Sequence, residues 1–495
     1  MGGKLRRALR RTCSSVFVCG LLAGAVLASH GATLERVRES GVLRWGGDVQ
    51  GGEPYAFQDP ADGDRLIGFE VEIADALARR LGVHAEFVQN DWLTLVPSLE
   101  RGNVDIVMNG LEITPARRGR VAFTRPYYRF RETLVVRRGD TSIHALADLN
   151  GRRVGTLGGS QAHEMLRATP GVEIALYEGV DEPYADLEQG RIDAVLLDHI
   201  IAERYGLSRP ELAKASDVGE GVYAIAVRPA DASLLAAIDA ALGGMIADGE
   251  IERILKRWKL WSEEQLRLGE GVADVAGPAP ARVLDRPQLW LFARATAVTV
   301  AISSLAMAVA VAGGLLLSLA RRYGGRPLRF AAGVYVEVFR GTPVLLQLYV
   351  LYFGLAPVLR LDAFTAAVLG LGLNYAAYEA ELYRAGLEAV PVGQTEAALA
   401  LGMSRRQALR RVVLPQALRV ALPGIANDFI ALLKDSSLVS VITVVELTKQ
   451  MTITAVDVRS WLVPGALCAI LYLALSYPLS LFARRLERRL VPVPK

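Results

Sequence analysis

The sequence predicts an α/β domain in its N-terminal half and an all-helical membrane domain of about five spans after it. Three observations carry that expectation. From about Thr33 to Trp261, short β-branched or apolar runs alternate with helical patterns. Beyond them, five apolar stretches each approach or exceed the roughly 20 residues that cross hydrocarbon. Apolar residues also make up 52% of the 495 positions, more than a soluble chain ordinarily carries. The formal net charge of +4 is not the concentrated basic face that nucleic acid demands, so no nucleic-acid partner is expected.

The chain opens with a segment, residues 1–32, that has the shape of an export signal. Lys4, Arg6, Arg7, Arg10 and Arg11 precede an apolar stretch from about Val16 to Leu27. Val26 and Ala28 suit cleavage after Ala28, while the same stretch could stay as an uncleaved anchor. Either way, the domain at 33–261 is exported. In it, "LIGFEVEIADALARRLG" repeats apolar residues at helical spacing. "VDIVMNG" and "IDAVLLD" read as buried strands ending at polar residues, where open α/β sheets place ligands. Residues 262–288 are rich in Gly, Pro and Ala without sustained periodicity and read as a linker.

The membrane domain, 289–495, has apolar segments near 290–320, 341–359, 363–386, 422–447 and 461–483. Arg321, Arg322, Arg326 and Arg329 follow the first, and Arg360 stands alone after the second. Arg405, Arg406, Arg410, Arg411 and Arg419 follow the third, and Lys449 and Arg459 the fourth. Arg484, Arg485, Arg488, Arg489 and Lys495 follow the last. Positive charge marks the cytoplasmic side, which puts the α/β domain outside and the C-terminus within, in agreement with the N-terminal signal. The three cysteines, Cys13, Cys19 and Cys468, form neither a disulfide framework nor a metal-ligand pattern, so no metal is expected.

Holding a free amino acid takes a bidentate cation for the carboxylate and an acid for the ammonium. Arg117, just beyond "VDIVMNG", and Asp198, at the end of "IDAVLLD", are the candidates. Ser160 in "GTLGGSQ" reads as the N-cap of a helix whose first amides add donors.

"LIGFEVEIADALARRLGVHAEFV", "VPSLERGNVDIVMNGLEITPARR", "AFTRPYY" and "GRIDAVLLD" resemble the polar amino-acid family of periplasmic solute-binding proteins over nearly all of residues 40–261. The resemblance implies an α/β two-lobed periplasmic-binding-protein domain, joined by two crossover strands and closing on its ligand by a hinge. By position, Arg117 resembles the family's carboxylate-binding arginine, Asp198 its ammonium-binding aspartate and Ser160 its second-lobe donor. Gly110 would offer a carbonyl, and Trp92 would pack on the ligand. Glu112 departs from the pattern, standing where the family carries Ser or Thr: either it reads a cationic ligand, or it turns away to pair with an arginine such as Arg118. The aromatic that covers the ligand is also displaced, with Tyr55 of "QGGEPY" as a weak substitute.

In the second half, "GQTEAALALGMSRRQALRRVVLPQALRVALP" resembles the EAA loop of ABC importer permeases, here 393–415, through Glu396, Ala397, Ala398, Gly402, Leu414 and Pro415, with Val412 for the usual isoleucine. "YVEVFRGTPVLLQLYVLYFG", "NYAAYEAELYRAGLEAVPVGQTEAALALG" and "LLKDSSLVSVI" resemble the polar amino-acid class of those permeases. The resemblance implies a coupling helix that fits an ATP-binding subunit, a homodimeric permease embedded in lipid, and placement in the bacterial inner membrane with the solute-binding domain in the periplasm. Asn374, Glu379, Glu381, Lys434 and Asp435 fall in or at the ends of spans, either lining the path or pairing to hold the bundle. No Gly-x-x-x-x-Gly-Lys-Ser/Thr loop occurs, so the chain is expected to bind no cofactor and to leave ATP to a partner, with no enzyme activity of its own. Two rivals share parts of this pattern: a ligand-gated channel, disfavoured by the contiguous receptor, and a binding-protein-derived dehydratase with a membrane anchor, in which Glu112 would be the acid or base.

Overall fold

The structure is a computed structural model that describes residues 32–269 and 285–490, apart from 357 and 459. The export signal, most of the linker, Cys13, Cys19, Arg459 and Lys495 lie outside the described residues. Two compact units result, an α/β unit and a helical unit.

The α/β unit contains strands β1 (Val42–Gly47), β2 (Phe57–Asp59), β3 (Asp62–Ile67), β4 (His84–Gln89), β5 (Ile106–Val107), β6 (Ala122–Arg137), β7 (Arg153–Leu157), β8 (Glu173–Tyr177), β9 (Ala194–Asp198) and β10 (Leu212–Val227). Eight of them run in the order β4-β1-β5-β10-β6-β9-β7-β8, with β2 and β3 as a separate hairpin. β6 and β10, 16 residues each, pair antiparallel along their length. β5 joins β10 near its end, at Ala226 opposite Val107. β9 joins the other part of β6, from Glu132 opposite Asp198 to Val136 opposite Ala194. The topology is therefore two lobes sharing two crossover strands, as the resemblance implies.

Each lobe has its own core. Leu95, Leu99, Val104, Val107 and Leu111 fill the first; Leu134, Val136, Leu149, Val154, Leu166 and Leu196 fill the second. Each such side chain stabilises its lobe by about 2 kcal/mol through burial. The period of two along β6 sets Phe130, Glu132, Leu134 and Val136 on one face, all of them buried. A carboxylate thus shares a face with three apolar residues.

The helical unit is built from Arg286–Tyr323, Arg326–Gly341, Val344–Tyr349, Ala363–Ala389, Val392–Ala400, Leu414–Asp435, Leu447–Asp457 and Leu462–Leu490, with short irregular turns between them. Arg286–Tyr323 and the last helix are long and apolar enough to cross a membrane unaided. Small residues let the helices approach closely. A Cβ on Gly314 would lie 2.4 Å from the Cβ of Glu379, and one on Gly372 would lie 2.8 Å from Val309.

Two expected spans are corrected. The stretch 341–359 is helical only over Val344–Gly354, which meets the preceding helix Arg326–Gly341 at 110°. Pro343 has no N–H and drives Thr342 to an extended conformation, φ −122° and ψ 145°, which ends the helix. Arg326 and Arg329 consequently open a helix rather than occupying a loop. The stretch 422–447 also divides. Its helix begins earlier, at Leu414, and stops at Asp435; a 3₁₀ segment, Ser436–Ile442, follows and ends at Thr443 in the left-handed region, φ 66°.

Candidate functional site

Between the lobes lies a cleft walled by residues of both. Five carboxylates line it, Asp48, Glu112, Glu132, Glu178 and Asp198, and no Lys or Arg does. Trp92, Gly110, Ser160 and Tyr55 also stand on its wall.

Local structure explains how these groups are aimed. Thr114 caps the short helix Pro115–Arg118, so the Arg117 side chain turns back toward Glu112. The guanidinium donates to the Glu112 carboxylate and to its carbonyl at 3.1 Å, and lies 4.8 Å from the centre of the Trp92 ring. Glu112 is held from behind by a β-bridge to Tyr223. From the opposite lobe, the Gln161 amide donates to the other Glu112 oxygen at 3.3 Å. That amide opens the helix Gln161–Ala168, whose N-cap is Ser160; the Ser160 hydroxyl accepts from the His163 amide at 3.1 Å and donates to the Leu157 carbonyl at 2.8 Å. Of the two alternatives for Glu112, the structure places it in an ion pair with an arginine, Arg117.

Asp198 ends β9 and caps the next turn, accepting from the Ile201 amide at 3.0 Å. It also accepts from the Tyr55 hydroxyl of the other lobe at 3.0 Å. Burial, reinforced by the charge of Glu112 and opposed by those two donors, pushes its pKa up to about 6. Tyr55 therefore contributes a hydroxyl to Asp198 as well as a ring to the wall. Its ring packs on Gly110, whose φ of +57° favours glycine and where a Cβ would lie 2.9 Å from the Tyr55 ring. The Gly110 amide donates to buried Glu70 at 2.6 Å. Trp92 bridges the lobes, its indole N–H donating to the Gly158 carbonyl at 2.8 Å.

Sequence reasoning missed Glu132. It is 1% exposed and lines the cleft, yet neither carboxylate oxygen has a hydrogen-bond partner among the described residues. Burial first, then repulsion from Glu112 and Asp198, raises its pKa far above the usual carboxylate range. The legible signal was an acid standing in the alternation of Phe130, Leu134 and Val136.

In the helical unit, Glu396, Ala397 and Ala398 lie on the nine-residue helix Val392–Ala400. Glu396 and Ala397 are exposed and Ala398 is buried. Gly402, at φ +82°, turns the chain after that helix, and Leu414 and Pro415 begin the next one. Val392 and Leu401 stand 72% and 80% exposed beside them, an apolar surface on an otherwise polar element. The intramembrane candidates separate by partner. Asn374 donates to the Phe339 carbonyl and to Gln347, both at 3.1 Å, and Gln347 donates to Phe339 and Thr342, so together they satisfy groups freed by the break before Pro343. Glu381 pairs with Arg321 and Arg384. Lys434 is exposed, and Asp435 accepts from the Tyr375 hydroxyl at 2.7 Å. Glu379 is fully buried, and its oxygens find no hydrogen-bond partner among the described residues.

Residues 44–260 match the family model of bacterial extracellular solute-binding proteins, family 3. Residues 297–492 match that of the binding-protein-dependent transport system inner membrane component. The chain is 41% identical over 208 residues to a glutamine transport system permease protein of Escherichia coli (strain K12), covering 41% of this chain and 94% of that protein. It is 43% identical over 179 residues to an L-cystine transport system permease protein of Bacillus subtilis (strain 168), covering 36% and 76%. An arginine transport system permease protein of the same organism is 35% identical over 206 residues, covering 41% and 94%.

Proposed function

We propose a transport cycle on one premise: the chain belongs to the family of binding-protein-dependent transport system inner membrane components, and is an amino-acid ABC permease with a family 3 solute-binding domain fused to it. Its relatives are transporter permeases rather than enzymes, which leaves the channel and the anchored dehydratase without support.

In this reading the α/β domain stands in the periplasm and captures a polar amino acid. The observation that carries it is the convergence of Arg117 from one lobe and the Gln161 amide from the other on a single carboxylate, that of Glu112. Such a pairing of guanidinium and helix-opening amide is a seat for a carboxylate. Glu112 holds it as a stand-in, and the ligand's own carboxylate displaces it. Asp198 receives the ammonium as the Tyr55 hydroxyl gives way, while Gly110 and Trp92 define the remaining wall. Ligand contacts made from both lobes at once favour the closed form.

The closed receptor then presents its ligand to the helices. No phosphate-binding loop occurs in the sequence, so a separate ATP-binding subunit supplies the work through the exposed helix Val392–Ala400 and the turn at Gly402. Two copies of the helical unit complete the pathway in the inner membrane. The linker at 262–288 tethers receptor to permease at a millimolar-range effective concentration. Glu379 and Lys434 are the intramembrane side chains left for the path, since Asn374 and Glu381 hold other partners.

Calorimetry of the full-length chain in lipid nanodiscs against the free amino acids tests the receptor half of this reading. Micromolar or tighter binding of at least one polar amino acid is expected. Indifference to all of them contradicts it.

A further inference from the structure

Charge in the cleft does not balance for a simple zwitterion. Arg117 is already matched by Glu112, and Asp48 is satisfied by the amides of Gln50 and Trp92 and by the Gln89 side chain. Asp198 suffices for one ammonium. Of the two acids left, Glu178 is exposed, and Glu132 is buried with no well-aligned hydrogen-bond donor among the described residues.

Its position makes this costly. Glu132 on β6 is directly opposite Asp198 on β9, and directly opposed residues hold their Cβ atoms about 5 Å apart on one face. Two acids so placed repel each other, and Glu112 adds a third carboxylate whose charge reaches both. On the other side, the β10 residue opposite Glu132 is Gly219, which brings no compensating cation. The Ala162 amide is the group that opposes the rise in its pKa. Folding gains nothing from an acid here, where an apolar residue would continue the face of Phe130, Leu134 and Val136.

The geometry points to Glu132 as the residue that receives a cationic group on the ligand's side chain, so that the cleft selects amino acids bearing a protonated amine or guanidinium over neutral ones. This rests on the amino-acid reading of the cleft and adds the class of amino acid to it. The ligand's two cations meet Asp198 and Glu132, and its carboxylate takes the seat beside Arg117. Burial and the two neighbouring acids disfavour ionisation of Glu132, and a cation seated against it favours it. One proton passes to solvent.

The test is calorimetry of the full-length chain in nanodiscs with L-arginine, L-lysine and L-glutamine, in buffers of different ionisation enthalpy. Wild type is expected to prefer arginine or lysine to glutamine by at least 100-fold and to release close to one proton on binding the cation. Glu132→Gln, nearly isosteric, is expected to lower that preference at least 30-fold and to abolish the proton release; Glu132→Asp, which restores the acid, should recover part of both. Equal affinity of wild type for arginine and glutamine overturns the proposal while leaving amino-acid capture standing. An unchanged preference in Glu132→Gln likewise overturns it. Binding of none of the amino acids overturns both readings.

Discussion

Polar side chains serve opposite ends in the cleft and in the helical unit. In the helical unit they are spent on the fold: Asn374 and Gln347 repair the backbone around Thr342 and Pro343, and Glu381 binds Arg321 and Arg384. In the cleft, the carboxylates exceed the cations that line it among the described residues, and the two groups proposed to receive the ligand carry partners of their own, Glu112 on Arg117 and Tyr55 on Asp198. A buried polar group whose partner comes from the same fold stabilises that fold. One whose partner is borrowed or missing marks where another molecule is received. Glu379 breaks the division among the carboxylates of the helical unit, being buried and without a hydrogen-bond partner among the described residues, as are the side chains of Gln288 and Ser318.

The comparison is broken most easily at Arg117. Arg117→Ala is expected to weaken amino-acid binding about 1000-fold, because it removes a charge-assisted, bidentate contact; calorimetry showing unchanged affinity would place the carboxylate elsewhere. Next comes pH. Asp198 must be ionised to hold an ammonium, and its pKa is raised to about 6, so in the Glu132→Gln variant, which has no second acid to ionise on binding, affinity should hold above pH 7 and then fall about tenfold per unit below pH 6. A flat profile down to pH 4.5 contradicts that role.

Glu112→Ser sharpens the comparison from the other direction. If Glu112 is a stand-in, its removal leaves the seat open, and binding of every amino acid tested should tighten about tenfold. A selective loss of arginine and lysine would instead make Glu112 the reader of cations. Asn374→Leu is expected to leave receptor affinity untouched and to lower the stability of the nanodisc-embedded chain by about 1–3 kcal/mol, because the Gln347 side-chain oxygen loses its donor and the Phe339 carbonyl one of two. Thermal unfolding followed with ligand titration separates the two effects.

Much of this was legible in the chain itself. Ser160 and Asp198 could be singled out because each caps a helix, and Arg117 because it lies in the short helix just beyond a strand, positions set by short-range pattern. The pairing of Glu112 with Arg117 was not, because the side chain's direction depends on the bridge to Tyr223, 111 positions away. Glu132 was readable from the alternation of β6 but was passed over among arginines in "RFRETLVV". The broken helix at Gly341–Pro343 had its signal in the proline, which hydrophobic length alone overrode.

The central claim is that occupation of the cleft drives an ATP-powered importer. It is tested most directly by ATP hydrolysis in proteoliposomes containing the full-length chain and its nucleotide-hydrolysing partner, with amino acid added on the receptor side. Hydrolysis should rise several-fold with L-arginine and stay at its basal rate when Arg117→Ala replaces the wild type. Stimulation that survives Arg117→Ala, or none with any amino acid that the wild type binds, contradicts it.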